Sequence, residues 1–385
     1  MVEFRNLVVF MSDGVRWDYH PDAVREMGVT VRTLASSLHT PTSIASLLTG
    51  LYLPNHGVRG FTDSLPKGTP TILDAFEHTG ISAESGNFNN EIYNYLLDRY
   101  DRVDLQDIEE PFGWFMRDPG GHAPLNEFDE ELATTGSVRS YLKQNAGDES
   151  QLREDYARAV DSSVNRFRNR VINTLRDRGI LEDTLIVFIS DHGEFLGEYG
   201  HVCESHPAAP ELVRVPTTLI HPGLDNVDTP NLMRHVDLHE TVADLGSLTA
   251  PNTDGGPVFD PVFDAKTGLN FYDRPYPSFS GTFHYTLSSV WDWQGGRVFN
   301  ESNPWARLKL LGGYLTKIPA GIQVRRARNP KGIKLLLSGQ YSIGNPGFSA
   351  KEARKMLDDI TVSVGRDELD MDQATKENLE DLGYL

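Results

Sequence analysis

At 385 residues the chain is long enough to bury a large core, and 39% of it is hydrophobic. Asp and Glu outnumber Lys and Arg by 55 to 36, a formal charge of −19, so like-charge repulsion excludes a general basic surface for nucleic acid or an anionic membrane. Lys accounts for ten of the 36 basic residues, a balance suited to solubility in high salt, and the single cysteine, Cys203, excludes an internal disulfide.

The amino terminus runs straight into Asn6–Ser12, an apolar stretch that reads as a buried parallel strand and ends on Asp13. No charged n-region and apolar h-region precede it, and no apolar run approaches the roughly 18 residues a bilayer requires. A cytoplasmic protein without a transmembrane segment is therefore expected. Next, His39 to Gly50 has the grammar of a short helix, with Thr40 at the N-cap, Pro41 at the first helical position and Gly50 just past the end. A hydroxyl there lies beside free backbone N–H groups and the positive end of the helix dipole. Thr40 is then either a nucleophile activated by a metal or base, or only a cap. The segment Asp155–Arg178 places Tyr156, Ala159, Val160, Val164, Phe167, Val171, Ile172 and Leu175 at near-helical spacing and stops at Gly179. It feeds a second apolar strand, Leu185–Ser190, that ends on Asp191 and His192.

Strand and helix patterns alternate from residue 5 to about 248, which predicts a doubly wound α/β sheet with helices on both faces. Ligands in such sheets collect beyond the carboxyl ends of the strands. Asp13, Asp191 and His192 can therefore meet on one edge as a metal site. The stretch Leu248–Pro261, rich in Gly, Pro and Asn, reads as a linker or long surface loop. Beyond it, aromatic β-rich runs such as Thr282–Leu287 and Gly339–Ile343 predict a smaller C-terminal α+β subdomain. The expected division is a catalytic domain over 1–250 and a subdomain over 251–385 packed on it.

The run Thr40-Pro41-Thr42-Ser43-Ile44-Ala45-Ser46-Leu47-Leu48-Thr49-Gly50, continuing through Leu51-Tyr52-Leu53-Pro54-Asn55-His56-Gly57, resembles the nucleophile helix of the sulfatase branch of the alkaline phosphatase superfamily. Sulfatases there read Cys-x-Pro-Ser-Arg, then a small and apolar stretch ending Leu-Thr-Gly, then Tyr-Pro and His-Gly. Ser190-Asp191-His192-Gly193-Glu194 with Gly197-Glu198 resembles their second metal motif, and Asp13-Gly14-Val15-Arg16-Trp17-Asp18 their first. Arg178–Thr184, Glu211–Pro216, His235–Leu238 and Leu382–Leu385 resemble further signatures in the same order, so about two thirds of the chain is covered.

The resemblance implies a sulfatase-like fold in which Asp13, Asp191 and His192 hold a divalent cation, Zn²⁺, Mn²⁺, Ca²⁺ or Mg²⁺, with the Thr40 oxygen completing the shell. Two departures bear on the reaction. Thr40 stands where sulfatases carry the Cys or Ser that is oxidised to formylglycine, and Ile44 where an Arg assists it; no formylglycine is expected. A formylglycine hydrate ejects sulfate by collapsing to an aldehyde, whereas a sulfated threonine has to be attacked at sulfur. Threonine nucleophiles belong to the phosphodiesterase and phosphotransferase relatives. The expectation is a metal-dependent hydrolase or transferase acting on a phosphate diester or monoester through a covalent Thr40 intermediate. A sulfuric ester hydrolase and a non-catalytic sulfatase-like binding protein are the alternatives.

Further site residues follow from the same resemblance. His122, in Asp118-Pro119-Gly120-Gly121-His122-Ala123-Pro124, is expected to face the substrate ester oxygen, or with Asp118 to form a second metal site as in nucleotide pyrophosphatases. His206 lies near the position of a sulfatase substrate-binding Lys and is the expected proton donor, with His201 as its rival in the pocket. Asn87 and Ser43 are expected to contact substrate oxygens, Asp18 to brace its turn or ligate the metal, His56 to buttress the helix, and His235 and His239 to pack. The substrate is expected to be a small-molecule or a glycan- or lipid-linked ester, met by loops over the strand ends.

Overall fold

The computed structural model describes residues 2–83, 91–123, 125, 138–145, 147–204, 206–224, 230, 232–278, 281–316 and 330–360. Its main sheet contains β1 (Asn6–Ser12), β2 (Val29–Leu34), β3 (His78–Ala83), β4 (Phe112–Asp118) and β5 (Thr184–Ile189). After a hairpin of β6 (Phe195–Leu196) and β7 (Val202–Cys203), β8 (Arg214–Ile220) and β9 (Met233–Arg234) complete it. The order is β3-β4-β1-β5-β8-β2-β9. Every pairing is parallel except those of β8, which runs antiparallel between β5 and β2. The carboxyl ends of β1, β2, β4 and β5 therefore share one edge.

Strand alternation divides the interior into two cores, because successive side chains leave opposite faces of a sheet. Leu7, Val9, Met11, Leu185, Val187 and Ile189 pack against Ile44, Leu47 and Leu48 of α1 (Thr40–Thr49), and with them lie residues of a later helix, Leu238, Val242 and Leu245. Their neighbours Val8, Phe10, Ile186 and Phe188 face Val164 and Phe167 of α2 (Glu149–Phe167) on the other side. The helix expected over 155–178 thus starts earlier, where the Asp148 side chain accepts from Gln151 N at 3.1 Å, and passes through a π turn at Arg168–Asn173. The later helix on the first face is α3 (Asp237–Gly246).

The stretch 248–261 is packed rather than a free linker. Asp254 accepts from Tyr52 N at 2.8 Å and from Asn55 Nδ2 at 2.9 Å, and its own N–H donates to Gly50 O at 2.8 Å. It clamps the end of α1, while Val258 enters the first core. Beyond it β10 (Gly268–Ser278), β11 (Gly281–Trp291), β12 (Gly295–Asn300) and β13 (Gln340–Gly344) form a separate antiparallel sheet. One face of this sheet packs on α4 (Pro304–Thr316) and α5 (Pro330–Leu337) together with Leu34, Leu38 and Leu212 of the main unit. The other packs on α6 (Ala350–Asp358) with Tyr52 and Val236. No described helix is long and apolar enough to cross a membrane.

Candidate active site

The site is assembled by register. Met11 of β1 lies level with Arg117 on β4 and Ile189 on β5, so the residues leaving β1 and β5 emerge beside Arg117. Asp13 N donates to Asp118 O at 2.9 Å, and Gly121 N returns a bond to Asp13 O at 2.7 Å. Gly120, at φ +55°, makes that return possible, since a Cβ there would sit 2.2 Å from Asp13 O. On the other side Asp191 Oδ1 accepts from Gly14 N at 3.1 Å and His192 N at 3.0 Å. Ser190 Oγ accepts from Val15 N and donates to His192 O, both at 2.8 Å. Backbone and side-chain bonds thereby tie the two strand ends into one rigid floor.

Asp13, Asp191 and His192 are fully buried, and one ligand atom from each lies within 4.8 Å of the others. Thr40 Oγ1 is 3.1 Å from His192 Nε2 and 3.4 Å from Asp13 Oδ2. His192 Nδ1 lies 2.9 Å from Gly193 O; a carbonyl can only accept, so Nδ1 carries a proton and Nε2 can present its lone pair to the cluster. Asp13 Oδ1 and Asp191 Oδ2 have no hydrogen-bond partner although both are buried, and they lie 3.7 and 3.4 Å from that Nε2. Buried carboxylate oxygens left bare are costly. Two such oxygens, an imidazole nitrogen and a hydroxyl form a donor set that fits a divalent cation.

The electrostatics point the same way. Burial and then the charge of Asp13 push the Asp191 carboxyl above its ordinary value. Burial also acts upward on Asp13, yet the Arg117 guanidinium, with His122 and His192, brings it below the usual range. Burial opposes charge on His192, and the Asp191 and Asp13 carboxylates outweigh it and raise its pKa. This pocket of negative potential draws a proton or a cation.

Arg117, at the end of β4, donates from Nε at 2.9 Å and Nη2 at 2.6 Å to Asp13 Oδ2, with both side chains fully buried. The fork fixes the Asp13 carboxylate and leaves Oδ1 turned to His192. Sequence reasoning passed over Arg117; the available signal was a guanidinium beside Asp118 at the end of a strand otherwise built of Phe, Gly, Trp and Met.

Several expectations are corrected by the packing. His39, with extended backbone, is the N-cap, and Thr40 is the first helical residue. Ser43 Oγ donates to Ser37 O at 3.3 Å inside the buried helix. Asp118 accepts from Arg166 Nε at 2.5 Å, Arg166 Nη2 at 2.9 Å and Gly120 N at 2.9 Å, which commits it to a structural ion pair instead of a metal shared with His122. Asp18 braces Arg16 at 2.7 Å. No hydrogen bond or ring contact among the described residues joins His201 or His206 to Thr40, Asp13, Asp191 or His192. His206 sits in an aromatic box, its ring 5.7, 5.9, 4.8 and 5.1 Å from those of Tyr272, Tyr276, Tyr285 and Tyr314, and burial holds its pKa well below the ordinary value. Neither of its ring nitrogens has a hydrogen-bond partner among the described residues. His201 packs on Phe195 and Tyr314. Asn87 lies outside the described residues. His122 does border the cluster, within the field of Asp13, with Nε2 turned to Glu204 at 3.6 Å. His56 buttresses α1 through Ser46 Oγ at 3.2 Å, and His235 bridges Ser36 N and Ser190 O.

The Sulfatase family model matches residues 88–248. The chain is 31% identical over 402 residues to the low-salt glycan biosynthesis sulfotransferase Agl7 of Haloferax volcanii, a match spanning 99% of this chain and 96% of that protein. The phosphonate monoester hydrolase of Agrobacterium radiobacter superposes with a TM-score of 0.59 at 14% identity, over 89% of this chain and 100% of that one. A 2-O GAG sulfatase superposes with a TM-score of 0.58 at 14% identity, over 78% and 83% of the two chains. At those identities the two structures share the fold with this chain.

Proposed function

The chain belongs to the sulfatase family of the alkaline phosphatase superfamily, and on that footing we propose that it transfers a sulfuryl group from an ester donor, by way of Thr40, to a hydroxyl of a glycan acceptor. The observation that carries this reading is the Thr40 hydroxyl, 3.1 Å from His192 Nε2 and 3.4 Å from Asp13 Oδ2, on the same edge as two bare buried carboxylate oxygens. The near full-length likeness to a sulfotransferase supports the choice of group and acceptor.

Asp13, Asp191 and His192 would hold the divalent cation, which when bound lowers the cost of deprotonating a hydroxyl and of charge on the transferred group. The residues themselves divide the work. The first turn of α1 holds Thr40 Oγ1 at the floor of the site, where free backbone N–H groups and the helix dipole favour an anion. Arg117 pins Asp13 and adds a fixed positive charge. In the first displacement the Thr40 oxygen bonds to sulfur, the bond from sulfur to the donor oxygen breaks, and the Thr40 proton passes to the departing donor oxygen. In the second, an acceptor hydroxyl oxygen bonds to sulfur, the Thr40 oxygen departs, and the acceptor proton passes to it.

A hydroxyl nucleophile at residue 40, in place of a formylglycine, favours a second reading in which the group is phosphoryl and the donor a phosphate diester or monoester. Labelled sulfate-ester and phosphate-ester donors, each quenched rapidly with Mn²⁺- or Zn²⁺-loaded protein, separate the two. Label from the sulfate ester on the Thr40 peptide, discharged faster by a glycan than by water, sustains sulfuryl transfer. Label from the phosphate ester alone sustains the second reading. No label from either donor overturns both and favours a binding protein.

A further inference from the structure

A second group of metal-ligating side chains stands beside the first. The β6–β7 hairpin pairs Phe195 with Cys203 and Leu196 with Val202, folding the chain back so that Cys203 and Glu204 return next to Glu194. One ligand atom each from Glu194, Cys203 and Glu204 lies within 4.8 Å of the others. Glu194 is 1% and Glu204 7% exposed, and Glu194 Oε2 has no hydrogen-bond partner. The guanidinium nearest Glu194, that of Arg16, directs its side-chain N–H groups to Asp18, Glu198 and the Glu194 carbonyl rather than to the Glu194 carboxylate.

His122 borders this group through Glu204. Its Nδ1 lies 2.5 Å from Ala123 O, so that nitrogen holds a proton, and Nε2 lies 3.6 Å from Glu204 Oε2.

We propose that Glu194, Cys203 and Glu204 form a second cation site, distinct from that of Asp13, Asp191 and His192, with His122 at its edge. A thiolate beside two carboxylates selects Zn²⁺ over Mg²⁺ or Ca²⁺, which take oxygen donors. Residues 192 and 194 of one loop would then serve two ions, and the second would add positive charge beside the group being transferred. That role rests on the transfer reading above, whereas the site itself does not.

Because Cys203 is the only cysteine, a thiolate-to-cobalt charge-transfer band on titration of the full chain with Co²⁺ can arise only at this site. The wild-type chain is expected to take up two equivalents of Co²⁺ and to show the band. Cys203→Ser should lose the band and one equivalent, Glu204→Gln should weaken the band at a given Co²⁺ concentration, and Asp191→Asn should lose the other equivalent and keep the band. Saturation of the wild type without the band, or no Co²⁺ uptake at all, overturns the second site regardless of how the variants fold. Failure of the transfer reading would look different: no label on Thr40 with the band intact.

Discussion

Acid should unfold this protein through two histidines that are held neutral by backbone N–H groups. His56 Nδ1 accepts from Val58 N at 3.0 Å and His235 Nδ1 from Ser36 N at 3.2 Å, so a proton added at either nitrogen would meet a donor head-on. Burial, with the nearby Arg59 charge for His56 and the His192 charge for His235, pushes both pKa values down to about 3. The unfolded chain takes up these protons first, at about 6.5, so stability is full above that value and falls as the pH drops from there towards 3. At about pH 5 the linkage costs about 2 kcal/mol per histidine, and about 4 kcal/mol near pH 3. For the pair at pH 5, about 4 kcal/mol is a large part of the roughly 5–15 kcal/mol that holds a domain together. Urea unfolding between about pH 7.5 and 5, with EDTA present so that metal binding adds no pH dependence, reads this directly. An Asn at both positions keeps an acceptor near the Nδ1 point but does not titrate. The double variant His56→Asn with His235→Asn should be weaker at neutral pH yet lose about 4 kcal/mol less on acidification. If its loss matches that of the wild type, proton uptake by these two rings is not what destabilises the fold.

Three further outcomes follow from the site. Thr40→Ala should abolish covalent labelling by any donor ester, while Thr40→Ser, which keeps the hydroxyl on the same turn, should retain it; quenched peptide mapping decides. Arg117→Met leaves Asp13 Oδ2 buried without its fork and should cost about 3–5 kcal/mol in urea unfolding, with a smaller loss for Arg117→Lys. Gly120→Ala forces a Cβ to 2.2 Å from Asp13 O at φ +55°. It should cost at least about 1–3 kcal/mol and, by moving Asp13, weaken cation binding roughly 10–100-fold by calorimetry.

The gathering of Asp13, Asp191 and His192 on one edge was legible in the sequence because its signals are local. An apolar run of strand length that stops on Asp13, a second that stops on Asp191 and His192, and a helix marked by Pro41 and Gly50 each declare their own geometry, and parallel pairing puts strand ends on one edge. The aromatic strands after residue 261 announced a second sheet in the same way. Partners across elements were not legible, because periodicity assigns a residue to a face and says nothing of what another element brings there. Only the β1–β4 register set Arg117 on Asp13, and only the crossing of α2 over β4 gave Asp118 to Arg166. The loop over 193–213 has no period to read. Its histidines, the chemically tempting residues, turned to packing, with His206 among four tyrosines, while the hairpin carried Glu204 to His122. Which side chains of an irregular segment reach the site is decided by tertiary contacts, since no repeating backbone hydrogen bond orients them beforehand.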